Sequence, residues 1–96
     1  MLVLVVYDIQ TTDTDGKRRL HRIARKCESI GKRVQNSVFE CILDAAQFRQ
    51  LQGALQDMID PAKDHLRFYN LGNHYEERIT SHGKSQTEYY ENPIVL

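Results

Sequence analysis

The sequence predicts a single α+β domain in which two helices cover one face of a small β-sheet. Two amphipathic stretches alternate with apolar β-type runs in the order strand, helix, one or two strands, helix, strand. At 96 residues the chain has the common size for one hydrophobic core, and it shows no internal repeat. Since two helices can cover only one face of a four-stranded sheet, the pattern is typical of a ferredoxin-like βαββαβ sandwich.

The first strand and the first helix have the clearest patterns. Residues 2–9 are rich in Val and Leu without alternation, as expected for a strand covered on both faces. Three consecutive residues can cap the helix that follows: Asp13, Thr14 and Asp15. Apolar residues at helical spacing form its buried stripe: Leu20, Ile23, Ala24, Cys27 and Ile30.

The remaining elements follow from shorter signals. Residues 33–43 are extended, and Asn36-Ser37 is either a turn between two short strands or a bulge in one long strand. Asp44 with Gln47 three residues later is typical of a capping box at the start of the second helix. Two further extended segments come after that helix: residues 65–72 and, as a weaker candidate, residues 75–81.

The predicted sheet has a second face that no helix covers. The runs around residues 2–7, 38–43 and 66–71 place apolar side chains there, and a large exposed apolar patch is unusual in a monomer. We therefore expect a homodimer in which the two sheets face each other.

The carboxyl terminus is expected to strengthen this dimer. The predicted domain covers residues 1–82, and a C-terminal tail, residues 83–96, follows it, with a polar stretch at 83–92. Its last segment, residues 93–96, is too apolar to remain in solvent and begins with Pro, which suits an edge strand. We expect this extra strand to pair with the sheet edge of the other subunit, and the alternative is packing against its own sheet.

Charge is distributed unevenly, although the formal net charge is zero. Between Lys17 and Arg33 there are eight basic residues and one acid, whereas from Asp44 onward eight acids accompany five bases. A local basic stripe favours a polyanion such as nucleic acid over the alternative of a solvated helix face. The basic residues outside the apolar stripe of the first helix are expected to bind the phosphate backbone: Lys17, Arg18, Arg19, Arg22, Arg25 and Lys26.

Asp8 is the main candidate for chemistry because it ends the first strand with a single carboxylate. Mg²⁺ and Mn²⁺ prefer carboxylate oxygen, and a dimer axis near this strand end would bring two copies of Asp8 to one cation. Such a cation polarises a phosphate or activates water, which predicts phosphodiester hydrolysis. The alternative is that Asp8 only braces the loop after the strand. Asp13 and Asp15 add charge nearby, with helix capping as their expected role.

Other classes of site are not supported by the residue spacing. The sequence contains no GxSxG, P-loop or GxGxxG motif and no HxxxH or HExxH spacing, so a zinc site is not expected. Cys27 and Cys41 form no CxxC pair and are expected in the core. Because Met1 leads directly into a strand and no apolar run is long enough to span a bilayer, we expect a soluble cytoplasmic protein without a membrane partner.

Five motifs occur in an order and spacing that resemble one known family. They are VVYDI at 5–9, GKRRL at 16–20, RVQNSVFEC at 33–41, IDP at 59–61 and LRFYNLG at 66–72. Together they resemble the small CRISPR-associated Cas-two family, which partners the CRISPR integrase in spacer acquisition for antiviral defence. The resemblance covers most of residues 1–72.

This resemblance implies a ferredoxin-like homodimer and a set of site residues. The family's metal-binding acid corresponds to Asp8, and its basic and polar site positions, with an adjoining aromatic residue, correspond to Arg18, Arg19, Arg33, Ser37 and Phe39. Some members are divalent-metal-dependent endonucleases on single-stranded RNA or double-stranded DNA, which is the preferred interpretation. The alternative is a non-catalytic dimer that binds duplex DNA and bridges the CRISPR integrase.

Overall fold

Six helices and strands follow one another in βαββαβ order in the computed structural model, which describes residues 1–84. They are β1 (Leu2–Asp8), α1 (Thr14–Ile30), β2 (Lys32–Gln35), β3 (Val38–Ile42), α2 (Ala45–Met58) and β4 (His65–Gly72). A short 3₁₀ helix, Glu76–Arg78, follows β4. Within residues 1–84, neither helix has the length and apolar character needed to cross a bilayer.

The four strands form one antiparallel sheet in the order β2-β3-β1-β4. The first strand is central, between β3 and β4, and both helices pack on the same face. This is the ferredoxin-like α+β arrangement that the sequence predicts, and that prediction is confirmed.

The hydrophobic core lies between the sheet and the two helices. Alternate residues of β1 face it, and the helices contribute the apolar stripes that their spacing predicts. Its fully buried members are Val3, Val5, Ile23, Cys27, Phe39, Cys41, Leu51 and Leu55. Burial raises the pKa of Cys27 to about 12 and that of Cys41 to about 11, so both thiols stay protonated, in keeping with their expected place in the core.

The other side of the sheet, here called the open face, carries the remaining residues of the same strands. Its apolar members are Leu4, Val6, Val38, Ile42 and Tyr69, and Ile42 and Tyr69 are 64% and 43% exposed. Glu40 and Arg67 also lie on this face, opposite Leu4 and Val6 of β1. The open face is therefore apolar at its centre but interrupted by charge.

Capping side chains begin both helices. Asp13 is the N-cap of α1 and accepts a hydrogen bond of 2.8 Å from the Gly16 backbone N–H. Asp44 and Gln47 form the expected capping box at the start of α2, with bonds of 2.7 and 2.9 Å. These bonds satisfy N–H groups that have no partner inside the helix.

The fold decides one open alternative of the sequence analysis and corrects one predicted strand. Asn36 and Ser37 form a turn, so residues 33–43 make a β2–β3 hairpin instead of one bulged strand. The expected strand at residues 75–81 is wrong, because Arg78 N–H donates to the Tyr75 carbonyl and closes a 3₁₀ turn. The predicted strand at residues 93–96 lies outside the described residues.

Candidate nucleic-acid interface and metal site

Asp8 is the last residue of β1, and its side chain is exposed at one end of the sheet. The β2–β3 turn lies at the same end, because the Tyr7 N–H donates a 3.2 Å hydrogen bond to the Ser37 carbonyl. Tyr7 is buried against the helices, so strand alternation directs Asp8 to the open face. Its partner across β1 and β4 is His65.

Within residues 1–84, no group of three or more His, Cys, Asp or Glu side chains is arranged to hold a metal ion. The Asp8 side chain makes no hydrogen bond or ion pair with any other residue in the range 1–84. The single chain thus has a free carboxylate at the strand end, with an imidazole beside it in the β1–β4 register.

A groove of about 550 Å³ lies on the helix side of the same strand end. It runs between α1 and the β2–β3 turn, and its charged lining is basic except for Glu28. Four residues predicted to bind nucleic acid line it together: Lys17, Arg25, Arg33 and Ser37. The groove therefore joins residues of the basic helix to residues of the hairpin that are distant in sequence.

Arg33 forms part of the groove floor through contacts on two sides. Its guanidinium donates a 2.8 Å hydrogen bond to the Glu28 carboxylate and lies 5.0 Å from the centre of the Phe39 ring. Its Nε is buried and has no hydrogen-bond partner among the described residues. A buried N–H without a partner is unfavourable, so this atom adds nothing to the hold on Arg33, which rests on Glu28 and Phe39.

Tyr7 supplies a neutral wall of the same groove. Its hydroxyl donates a 3.3 Å hydrogen bond to the Asn36 carbonyl, and its ring stacks on Phe39 at 6.2 Å between centroids. Burial raises the pKa of this phenol, so it remains uncharged at neutral pH. An anion in the groove would meet no negative charge from Tyr7.

Arg19, in contrast, is ion-paired with another residue of the protein. Its Nε and Nη2 donate hydrogen bonds of 2.7 and 3.3 Å to the carboxylate of Asp64, just before β4. The Asp64 side chain has no exposed surface and also accepts bonds from the backbone N–H groups of Gln10 and Asp60, at 3.0 and 2.8 Å. Burial alone would raise the pKa of Asp64, but the bonds from Arg19, Asp60 and Gln10 outweigh it and hold the pKa below its usual range.

The other predicted phosphate ligands lie on the solvent side of α1. Arg18 is 75% exposed and 4.0 Å from Asp15, a distance at which an exposed ion pair contributes little. Arg22 is exposed as well. Asp13 is held by its cap and by Lys63 at 3.6 Å, so its role is the expected structural one.

Asp64 and His65 are the residues that the sequence analysis missed. The contacts of Asp64 span 45 residues to Arg19 and 54 residues to Gln10, so no local motif indicates them. His65 is brought beside Asp8 only by the β1–β4 register. Only the strand order of the predicted fold could have indicated these contacts, since a ferredoxin-like sheet makes β1 and β4 neighbours.

Comparison with known proteins agrees with this fold. Residues 1–79 match the family model described as CRISPR associated protein Cas2. The chain is 44% identical to the CRISPR-associated endonuclease Cas2 of Halalkalibacterium halodurans and 45% identical to the CRISPR-associated endoribonuclease Cas2 of Chlorobaculum tepidum. Both alignments cover 100% of this chain and 100% of the relative.

A solved structure shows the same likeness. The crystal structure of Streptococcus pyogenes Cas2 at pH 6.5 superposes with a TM-score of 0.75 and 42% identity, covering 86% of this chain and 100% of that one. The fold and these matches place the chain among the small ferredoxin-like proteins of the CRISPR-associated class. Within that class, the chain belongs to the Cas2 family.

Proposed function

We propose that this protein is a divalent-metal-dependent endonuclease of CRISPR spacer acquisition, working as a homodimer through a symmetric site at Asp8. The observation that carries this proposal is the position of Asp8, an exposed carboxylate at the end of the central strand without a side-chain partner in residues 1–84. Two relatives are named an endonuclease and an endoribonuclease, and these names support a nuclease role.

The donor set fits a hard divalent cation only if two protomers share it. Carboxylate oxygen is the ligand that Mg²⁺ and Mn²⁺ prefer, and both ions retain waters when one or two carboxylates bind them. Asp8 from each protomer would hold the ion. When bound, it would stabilise charge on the scissile phosphate and lower the pKa of a coordinated water.

The open face supports the dimer. Leu4, Val6, Val38 and Ile42 give it an apolar centre, and Ile42 is 64% exposed in the single chain. A second sheet packed on this face would bury these side chains. Asp8 lies on the same face, so face-to-face packing directs both copies of the carboxylate into the shared interface.

The groove and the exposed side of α1 would position the substrate. Lys17, Arg25 and Arg33 offer positive charge to phosphate oxygens from the lining of the groove. Contacts of this kind fix the backbone and do not read bases. We therefore expect little sequence preference for the substrate, which is single-stranded RNA or double-stranded DNA.

A specific observation favours the second candidate, a non-catalytic scaffold that binds duplex DNA and bridges the CRISPR integrase. Arg33 faces the helix layer over Phe39, whereas Asp8 faces the open side. The phosphate-binding groove and the metal ligand thus lie on different faces of one protomer. Binding without cleavage needs only the groove and α1.

Cleavage of labelled single-stranded RNA and duplex DNA by the purified protein tests the first candidate. With Mg²⁺ or Mn²⁺ we expect cleavage that chelator abolishes and that Asp8→Asn removes, with fold and dimer retained. Asp57→Asn, an exposed carboxylate on α2, is the matched control and should cleave at the wild-type rate.

The outcomes separate the two candidates. Wild-type cleavage by Asp8→Asn would contradict the catalytic assignment, and full activity in chelator would contradict the metal. Tight duplex binding by wild type and Asp8→Asn, with no cleavage by either, would replace the nuclease by the scaffold.

A further inference from the structure

Asp8 and His65 lie side by side on the open face. They are directly opposite each other in the β1–β4 register, and both are exposed. Their chain neighbours Tyr7 and Leu66 pack into the core, so both side chains project away from the helices. Residues directly opposite on antiparallel strands have Cβ atoms roughly 4.5–5.5 Å apart, close enough for a carboxylate and an imidazole to share one ligand.

Neither side chain is hydrogen-bonded to or ion-paired with another described residue. In residues 1–84, His65, like Asp8, makes no hydrogen bond or ion pair through its side chain. The next residue of β4 on this face, Arg67, donates a 2.9 Å hydrogen bond to the Tyr69 hydroxyl and lies 5.8 Å from the centre of that ring. Arg67 is thereby held by Tyr69, and it makes no ion pair with Asp8.

The backbone that carries the pair is fixed by Asp64. This buried carboxylate, adjacent to His65, accepts a 3.0 Å hydrogen bond from the Gln10 N–H, two residues beyond Asp8. It also accepts two bonds from Arg19 of α1. The end of β1 and the start of β4 are therefore tied together, which is the kind of rigid support that an ion-binding pair requires.

We propose that His65 is a second protein ligand of the divalent ion at Asp8, an assignment that rests on the metal site of the proposed function. Imidazole nitrogen suits first-row transition ions, whereas Mg²⁺ favours an all-oxygen environment. The mixed carboxylate–imidazole pair makes this site select Mn²⁺ over Mg²⁺.

The test measures Mn²⁺ and Mg²⁺ binding to the full-length protein by titration calorimetry and pulsed electron paramagnetic resonance. We expect tighter binding of Mn²⁺ than of Mg²⁺, and a nitrogen coupling in the spectrum of bound Mn²⁺. His65→Gln should remove that coupling and weaken Mn²⁺ binding by about tenfold or more. The control is His74→Gln, an exposed imidazole beyond β4, which should match wild type.

The variants distinguish failure of this inference from failure of the proposed function. Mn²⁺ binding that is lost in Asp8→Asn but shows no nitrogen coupling in wild type would overturn the role of His65 and leave the Asp8 site intact. Mn²⁺ binding undiminished in Asp8→Asn, or absent from wild type, would overturn the metal assignment and the inference with it.

Discussion

Arg19 and Asp64 form a two-bond ion pair that joins α1 to the start of β4, with the Asp64 side chain fully buried. The same carboxylate accepts backbone bonds from Gln10 and Asp60. One side chain therefore connects the helix, the loop after β1, the end of α2 and the start of β4. Arg19, which the sequence predicts to bind phosphate, therefore stabilises the packing of α1 against the start of β4.

Asp64→Ala should lower the free energy of unfolding by about 2–3 kcal/mol, because hydrogen bonds to a charged group are lost and their donors are left unpaired. Urea unfolding followed by circular dichroism measures this change. Asp57→Ala removes an exposed carboxylate from α2 and should stay within about 0.5 kcal/mol of wild type. Equal stability of the two variants would show that solvent replaces the Asp64 bonds.

Protonation of Asp64 should also lower the free energy of unfolding at acid pH. Its pKa in the folded protein lies below the ordinary value of 3.8, so its contribution is fully present above that value and disappears as pH falls through the folded-state pKa. Asp64→Asn cannot titrate at this position and should lose less stability than wild type below about pH 4. Unfolding midpoints between pH 7 and pH 2 would measure the difference, and parallel curves would contradict it.

Replacing Arg18, Arg22 and Arg25 with Ala should flatten the salt dependence of nucleic-acid binding. Each lost phosphate contact lowers the slope of log affinity against log salt by about 0.9 for duplex DNA. Fluorescence anisotropy across salt concentrations gives the slope. Arg49→Ala, on the exposed side of α2, is the control and should leave it unchanged. A wild-type slope in the triple variant would mean that the three arginines only face solvent.

Ile42→Asp should weaken the proposed dimer by at least about tenfold, because burial of an Ile side chain stabilises by about 1.5–3 kcal/mol. Ile42 is 64% exposed on the open face, so the single chain should fold normally. Sedimentation over a dilution series measures the association. Gln56→Asp on α2 should dimerise like wild type. Unchanged association of Ile42→Asp would remove this part of the open face from the interface.

The fold could be predicted because its determinants are local. The alternation of helical and strand patterns, the Asp44–Gln47 capping box and the stripe of α1 each lie within a short segment. The segment 75–81 was mistaken for a strand because its apolar residues do not distinguish an edge strand from the 3₁₀ turn at Glu76–Arg78.

The candidate site could be predicted only in part. Asp8 was recognised because a strand-end acid is visible in one segment, whereas the partners of Asp64 and the neighbour of Asp8 depend on pairings across more than 40 residues. Helical spacing places Arg18 and Arg22 outside the apolar stripe of α1, and both are exposed. It could not predict that Arg19 is ion-paired, since its partner, Asp64, comes from another part of the fold.

The alternation of Tyr7 and Asp8 in β1 has a geometric consequence for any bound polynucleotide. Tyr7 borders the groove under α1, while Asp8 projects from the opposite surface of the sheet. A single strand that touches both must bend around the rim of the sheet, past the turn at Asn36 and Ser37. Shifting β1 by one residue would exchange the two surfaces, so the register of this strand determines on which side of the molecule each contact is made.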